Sequence, residues 1–177
     1  MPRSVAFLRA VNVGGRTVKM EALRAAFEAL ALDRVQTFIA SGNVIFDHKA
    51  RDVAALERKI EAQLQKAFGF DVDTFVRTLD EIAAVVAHPT FDGSATTEVV
   101  GFLRAAPDAA GAKAMRAMAT DVDRLQLHGR ELIWTSDQRQ SDSVFSNAAF
   151  ERALKVRSTF RSVSTLRKLL DKHREEA

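Results

Sequence analysis

Three segments in the first half of the chain return in the same order in the second half. Each copy follows its original by roughly 85 to 95 residues, a spacing that indicates an internal duplication. The matching pairs are residues 5–10 with 100–105, residues 42–46 with 129–134, and residues 74–77 with 159–161. A duplicated chain is restricted to folds in which one small unit is built twice.

Each half alternates short β-rich runs with amphipathic segments of helical period. The first half predicts strands over 5–11, 35–40, 43–48 and 72–76, a helix capped by Thr17, a second helix that Asp52 opens and Gly69 stops, and a third helix over 79–87. The second half predicts strands over 99–105, 122–127, 131–135 and 157–163, with helices near 109–119, 147–154 and 165–173.

This order predicts an α+β fold made by tandem duplication of a ferredoxin-like βαββαβ unit, each copy followed by a trailing helix. A single α/β sheet built from all the strands is the alternative. Residues 89–97 are rich in Pro, Gly, Ser and Thr, which is typical of a linker. We therefore expect an N-terminal subdomain over residues 1–92 and a C-terminal subdomain over residues 93–177.

Composition narrows the class of protein and the compartment. The chain is 47% hydrophobic and 28% charged, as expected of a soluble globular protein. It contains no cysteine, which excludes disulfides and thiolate metal sites and fits a reducing compartment. The apolar runs fall short of the ~20 residues that span a membrane, and the first residues lead into a strand without the layout of a secretory signal. These features predict a cytoplasmic protein with no membrane contact.

The predicted topology brings two distant loops to one edge of the first sheet. If the first strand runs antiparallel to the third, the segment from Asn12 to Gly15 meets the hairpin turn at 41–43. Gly14 and Gly15 can turn backbone N–H groups outward, and the following helix adds positive dipole. Such an edge can hold a phosphate or carboxylate, although a Gly-Gly pair between a strand and a helix is more often simply a turn. The predicted ligand-binding residues are Arg9, Asn12, Gly14, Gly15, Lys19, Ser41, Gly42, Asn43 and Arg161.

Aromatic and basic side chains alternate along the first strand and its copy. Strand period places Phe7 with Arg9, and Phe102 with Arg104, on a face where burying arginine favours an uncovered sheet surface. Phe46 and Trp134 are expected to share these faces. Such a surface resembles the base-stacking sheets of RNA-recognition folds. We favour the alternative that the two faces pack on each other or on nearby elements, with both arginines as paired structural cations.

No catalytic motif is present, so the sequence leaves enzymatic activity open. The four histidines lack metal-ligand spacing, and the serines of residues 136–146 lack a nucleophile-elbow pattern. No metal or cofactor is predicted.

Two motifs in combination carry a resemblance to a known family. Residues 8–15 read Leu-Arg-Ala-Val-Asn-Val-Gly-Gly, and residues 37–46 read Thr-Phe-Ile-Ala-Ser-Gly-Asn-Val-Ile-Phe. The chain resembles, over essentially its whole length, the bacterial domain-of-unknown-function family 1697 (DUF 1697). The resemblance implies a duplicated ferredoxin-like fold and no established activity.

The chain departs from the family pattern at three places. Family members tend to carry Gly where Ala10 stands, and a Thr-x-Arg-Asn-x-x-Thr-Val run where residues 159–166 keep Thr159, Arg161 and Thr165 but lack the Asn. Residues 138–147 also differ from the usual Gly…Ser-Lys-Leu run. A family site built on the C-terminal residues would thus be altered here.

The leading functional prediction is a non-enzymatic binding protein for an anionic partner such as single-stranded nucleic acid. Its support is the glycine-bearing edge together with a net charge of +3 whose basic excess lies near the C-terminal end. The basic side chains of that region are Arg152, Lys155, Arg157, Arg161, Arg167, Lys168, Lys172 and Arg174. Two alternatives stay open: an enzyme or sensor for a small phosphorylated or carboxylated metabolite, and a protein-interaction module. The sequence defines no oligomeric state.

Overall fold

Two four-stranded antiparallel sheets form the framework of the chain in the computed structural model, which describes residues 1–39 and 42–174. The chain divides into two compact units, Met1–Leu79 and Asp80–Ala177. Among the described residues there are six α-helices, so the fold is mixed α+β with two repeated units. A single sheet containing all the strands is therefore excluded.

The first unit has the element order βαββαβ. Its elements are β1 (Arg3–Leu8), α1 (Met20–Glu28), β2 (Asp33–Thr37), β3 (Asn43–Asp47), α2 (Val53–Phe68) and β4 (Thr74–Thr78). The strands lie in the order β2-β3-β1-β4. The next helix, α3 (Leu79–Val86), starts at the last residue of this unit.

The second unit repeats this order after α3. Its elements are β5 (Thr97–Leu103), α4 (Ala109–Arg116), β6 (Asp123–His128), β7 (Glu131–Ser136), a 3-10 helix (Gln140–Asp142), α5 (Asn147–Leu154), β8 (Ser158–Ser162) and α6 (Val163–Arg174). The strands lie in the order β6-β7-β5-β8, which matches the first unit strand for strand.

The linker belongs with the second unit rather than ending the first. Arg130 forms an ion pair with Glu81 of α3 at 2.8 Å, and the Arg167 guanidinium donates to the Phe91 carbonyl at 2.8 Å. These contacts explain why the compact units divide at residue 79, whereas the sequence placed the division after residue 92.

Strand register aligns the two copies residue by residue. Val5 lies opposite Ile45 on one side and Arg77 on the other. Val100 lies in the same way between Ile133 and Arg161. Arg77 and Arg161 are therefore equivalent, which shifts the alignment suggested by the Thr-Phe pairs of the sequence by one residue.

Local capping explains where the second helix begins and ends. The Asp52 carboxylate accepts a hydrogen bond from the Ala55 backbone N–H at 3.0 Å, and Gly69 ends the helix in the left-handed region at φ 78°. Both predictions are confirmed. The predicted cap at Thr17 is wrong, because α1 begins at Met20 with Lys19 as its N-cap.

One face of each sheet packs against the helices of its own unit. In the first unit Phe46 packs against Phe27 of α1, with ring centroids 5.6 Å apart. In the second unit Trp134 packs against Phe145 at 4.9 Å and Phe160 at 6.1 Å. The expectation that Phe46 and Trp134 share a face with Phe7 and Phe102 is therefore wrong. Successive strand residues point to opposite faces, and these two point to the helices.

The face opposite the helices carries Phe7 and Phe102, and both side chains are fully buried. Arg9 and Arg104, the arginines predicted for this face, lie beyond its strands, because β1 ends at Leu8 and β5 at Leu103. Ala10 has φ 58°, which turns the chain so that Val11 packs into the helix-side core instead of following Phe7.

Candidate functional site

The predicted edge of the first sheet is formed by the end of β1 and the start of β3. The two strands are antiparallel, with Phe7 opposite Asn43, so the chain leaves β1 beside the point where it enters β3. The loop between β1 and α1, residues 9–19, is called the edge loop below. Ser41 lies outside the described residues, whereas Gly42 is described and is partly exposed.

Gly14 and Gly15 give the edge loop its open backbone. Their φ angles are 61° and 82°, in the left-handed region that glycine adopts without strain. Both residues are exposed, and a Cβ built at either position has no atom within 4 Å. The Arg16 N–H closes this turn on the Val13 carbonyl at 3.2 Å. The peptides of the glycine pair therefore lie open to solvent.

The two asparagines form hydrogen bonds that shape the edge, Asn12 from an exposed position and Asn43 from a buried one. The Asn12 Oδ1 atom accepts a hydrogen bond from the Val18 N–H at 2.7 Å, which folds the loop back before α1. The Asn43 Nδ2 group donates to the Phe38 carbonyl at 3.0 Å, and Asn43 is only 4% exposed. Asn43 therefore acts as a support for the turn, and its side chain does not reach a ligand from this position.

Three cations lie along the edge loop. Arg9 is partly exposed and its backbone N–H donates to the Asp73 carbonyl at 2.9 Å, which anchors the loop to the chain entering β4. The Arg16 guanidinium stacks over the Phe70 ring at 4.6 Å from the centroid. Lys19 is exposed and is the N-cap of α1 without a side-chain capping bond. Positive charge and N–H groups at a helix start together suit an oxyanion.

Arg161 lies in the second unit, as the fourth of the five residues of β8. Its Nη1 group donates to the Thr159 hydroxyl at 2.7 Å and to the Phe160 carbonyl at 2.9 Å. Burial lowers the pKa of the guanidinium to about 10, which leaves it protonated at neutral pH. Arg161 is thus part of the sheet of the second unit, whereas the other predicted ligand-binding residues belong to the first unit.

Arg77 is the residue that the sequence reasoning missed. It is 1% exposed in β4, and its Nη1 group donates to the Val76 carbonyl at 2.9 Å, the bond that Arg161 makes in the second copy. The repeated Arg at the end of each Thr-Phe segment was the available signal. The Thr-Phe pairs of the two copies lie one position apart in the strand register, so an alignment on those pairs hides the equivalence of Arg77 and Arg161.

Two buried polar clusters resemble catalytic arrangements but are closed to solvent. Ser4 Oγ lies 3.0 Å from His48 Nε2, and the residues are 0% and 4% exposed. Burial lowers the pKa of His48. Asp47, adjacent in sequence, forms ion pairs with Arg3 at 3.1 Å and Arg34 at 2.5 Å. Burial opposes ionisation of Asp47, but the two arginines outweigh it and hold its pKa below the ordinary value.

The second unit has a comparable buried carboxylate at Asp123, which is 0% exposed. It accepts hydrogen bonds from Trp134 Nε1 at 3.0 Å, Ser143 Oγ at 2.8 Å and Thr120 Oγ1 at 3.0 Å. Burial raises its pKa, but these hydrogen bonds outweigh burial and keep the pKa low. Over residues 1–39 and 42–174, no three His, Asp or Glu side chains come together as a metal-binding group.

Comparison with known proteins gives a structural neighbour and a family. The conserved bacterial protein SP0830 from Streptococcus pneumoniae is similar in structure, with a TM-score of 0.76 and 23% sequence identity. The similarity covers 97% of this chain and 98% of that chain, which supports the fold alone. No curated protein matches the chain. In the part of the chain that the structure describes, no helix has the length and apolar character to cross a bilayer.

The family match agrees with the motifs of the edge loop. The family described as "Protein of unknown function (DUF1697)" matches residues 1–133, which include the whole first unit and the second unit as far as β7. This match covers more than half of the chain, and the protein therefore belongs to the DUF1697 family of proteins of unknown function.

Proposed function

We propose that the protein is a non-enzymatic binding protein for an anionic partner, a single-stranded nucleic acid, whose phosphates lie against the edge loop of the first unit. The observation that carries the proposal is the open Gly14-Gly15 turn, with both φ angles positive, on the loop that leads into α1. Arg9, Arg16 and Lys19 lie on the same loop. An exposed loop suits a long flexible polyanion better than an enclosed cleft does.

The absence of solvent-accessible acid–base pairs among the described site residues favours binding over catalysis. Ser4 and His48 are within hydrogen-bond distance, but both are buried, so a substrate has no access to them. The edge loop itself carries cations and amides and no carboxylate. Proton transfer in catalysis requires a group with a suitable pKa placed against the substrate.

A small phosphorylated metabolite is the second candidate, favoured by the two consecutive left-handed glycines. Such a pair can direct neighbouring N–H groups at one phosphate, as nest-like loops do. The protein-interaction module has less support, because Phe7 and Phe102, the residues expected to recruit a partner, are buried.

We also propose that each unit is ferredoxin-like and that the protein is cytoplasmic. The βαββαβ order and the repeated sheet order support the fold. The absence of cysteine from the sequence supports the compartment.

Fluorescence anisotropy with labelled single-stranded RNA and DNA across a salt series tests the function. Three cations in contact with phosphates predict a slope of log affinity against log salt of about −2. Affinity is then expected to fall roughly 20-fold between 50 and 200 mM salt. The Lys19→Gln variant should bind more weakly and reduce the slope by about 0.7.

Lys49→Gln is the matched control, because Lys49 is exposed and follows the end of β3, at the opposite edge of the same sheet. It should leave both the affinity and the slope unchanged. Binding of pyrophosphate without binding of the single-stranded RNA or DNA would favour the metabolite candidate. Absence of binding to all three, or equal losses in Lys19→Gln and Lys49→Gln, would contradict the placement of an anion at the edge loop.

A further inference from the structure

The second unit contains a cleft at the loop that corresponds to the edge loop. Its volume is about 490 Å³, within the ~300–1,000 Å³ typical of small-molecule sites. It lies where the end of β5 and the β5–α4 loop meet the first turn of α4 and the end of α5. We call it the α4–α5 cleft.

Apolar side chains form most of the wall of the α4–α5 cleft. Leu103 is 1% exposed, and Pro107, Leu154 and Val156 are partly buried. Ala106, in the β5–α4 loop, also lines the cleft and is exposed. Small-molecule sites are usually apolar with a few placed polar groups, so the tail of a ligand has a surface to cover here.

Two arginines supply the positive charge of the cleft. Arg104 is exposed on the β5–α4 loop, and the Arg157 side chain is 62% exposed. Arg157 lies 3.9 Å from Glu151, a long ion pair whose carboxylate also accepts the Ser158 N–H at 2.8 Å. A guanidinium presents several donors in a fork that matches a carboxylate.

The duplication relates this cleft to the edge loop. Leu103 and Arg104 are the copies of Leu8 and Arg9, each pair lying where the first strand of its unit ends. The first copy continues into an open glycine turn and the second into Ala-Ala-Pro-Asp. The same topological position therefore carries an arginine in both units, with an apolar wall in the second.

We propose that the α4–α5 cleft binds an aliphatic monocarboxylate, with its tail against Leu103, Leu154 and Val156 and its head at Arg104 and Arg157. A singly charged head fits better than a phosphate, because Asp108 also lines the cleft and Glu151 lies beside Arg157. The Asp108 carboxylate caps α4 by accepting the Gly111 N–H at 2.7 Å, and its negative charge at the cleft repels a second negative charge on a ligand.

Titration of the whole protein with octanoate, followed by the backbone amide signals in NMR, tests this site. Shifts are expected to centre on Arg104, Gly111 and Val156, with a Kd on the order of 0.1–1 mM for a ligand of this size. The double variant Arg104→Gln/Arg157→Gln should weaken binding at least 10-fold, and octan-1-ol should bind at least 10-fold more weakly than octanoate. Ala106→Trp should fill the cleft and abolish the shifts.

Arg116→Gln is the matched control, because Arg116 is an exposed arginine in the last turn of α4. It should change the Kd by less than two-fold. Lys19→Gln should also leave octanoate binding unchanged, which separates this proposal from the one for the edge loop. Shifts that centre elsewhere, equal binding of the alcohol, or wild-type binding by both cleft variants would overturn the proposal.

Discussion

Removal of the Asp123 carboxylate is expected to destabilise the second unit more than any exposed substitution. Asp123 lies at the start of β6, is 0% exposed and accepts hydrogen bonds from four side chains: Trp134, Ser143, Thr120 and Ser136. In Asp123→Ala the indole N–H of Trp134 stays buried without an acceptor. The three hydroxyl groups can rotate toward other partners.

The expected loss follows from these contacts. A buried donor without a partner costs roughly 1–3 kcal/mol, and hydrogen bonds to a charged group contribute roughly 1.5–3 kcal/mol each. The contributions are not additive, and the variant no longer has to bury a charge, so we expect a loss of about 4 kcal/mol. Asp123→Asn keeps one oxygen for Trp134 and should lose about half as much.

Urea unfolding followed by tryptophan fluorescence measures this loss, because Trp134 is the single tryptophan and reports on the second unit. With an m-value of about 2 kcal/mol/M, Asp123→Ala should lower the midpoint by about 2 M. Asp137→Asn, which breaks the exposed 2.7 Å ion pair with Arg124, is the control and should shift the midpoint far less, because solvent screens an exposed pair. A midpoint shift below about 0.5 M for Asp123→Ala, or an equal shift in the control, would refute the reasoning.

The low pKa of Asp123 adds a pH dependence with a defined sign. Hydrogen bonds keep the folded-state pKa below the ordinary value despite burial, so the unfolded state binds the proton more readily. The stabilisation is therefore present above the unfolded pKa of about 4 and is lost as pH falls below it. The difference in stability between wild type and Asp123→Ala should shrink in the same range.

Three further predictions concern the backbone, the core and the first unit. Ala10→Gly should raise Tm by about 2–4 °C in a thermal melt, because alanine at φ 58° is strained by about 1 kcal/mol; a lower Tm contradicts this. Gly101→Ala should lower the free energy of unfolding by about 1–3 kcal/mol, since its Cβ would lie 2.7 Å from the Phe160 ring. In a double-mutant cycle Phe160→Val should recover part of that loss, whereas strictly additive losses would disprove the contact. Burial lowers the pKa of His48, so the wild type should lose stability relative to His48→Gln as pH falls below about 6.5. A difference in stability between the two proteins that stays constant with pH would contradict the burial argument.

The sequence predicted the parts of the fold that depend on local patterns. The period of apolar residues in α2, the cap at Asp52 and the stop at Gly69 each act within one helical turn, so they could be read from neighbouring residues. The repeated segments predicted the duplicated architecture for a similar reason, since they preserve the strand cores. Helix α5 (Asn147–Leu154) was predicted to the residue.

The errors arose where the chain depends on backbone torsion or on strand register. The left-handed residue at Ala10 ends β1 earlier than its apolar pattern indicates, so Arg9 does not share the face of Phe7. The assignment of Phe46 to that face failed because alternation fixes only the relative positions of side chains within a strand. Asn43 was predicted as a ligand contact, and the structure uses its amide to hold the Phe38 carbonyl, which no local pattern shows.

The residue at one central position differs in size between the two sheets, and this difference has a consequence for how the chain folds as it is synthesised. Ala6 lies between Val44 and Val76, whereas the equivalent Gly101 lies between a leucine and Phe160, whose ring occupies the space of the missing methyl group. If the last strand of the nascent polypeptide inserted beside β1, that ring would collide with the Ala6 methyl. Tandem copies are prone to such exchange, and the Ala6 methyl would disfavour this mispairing.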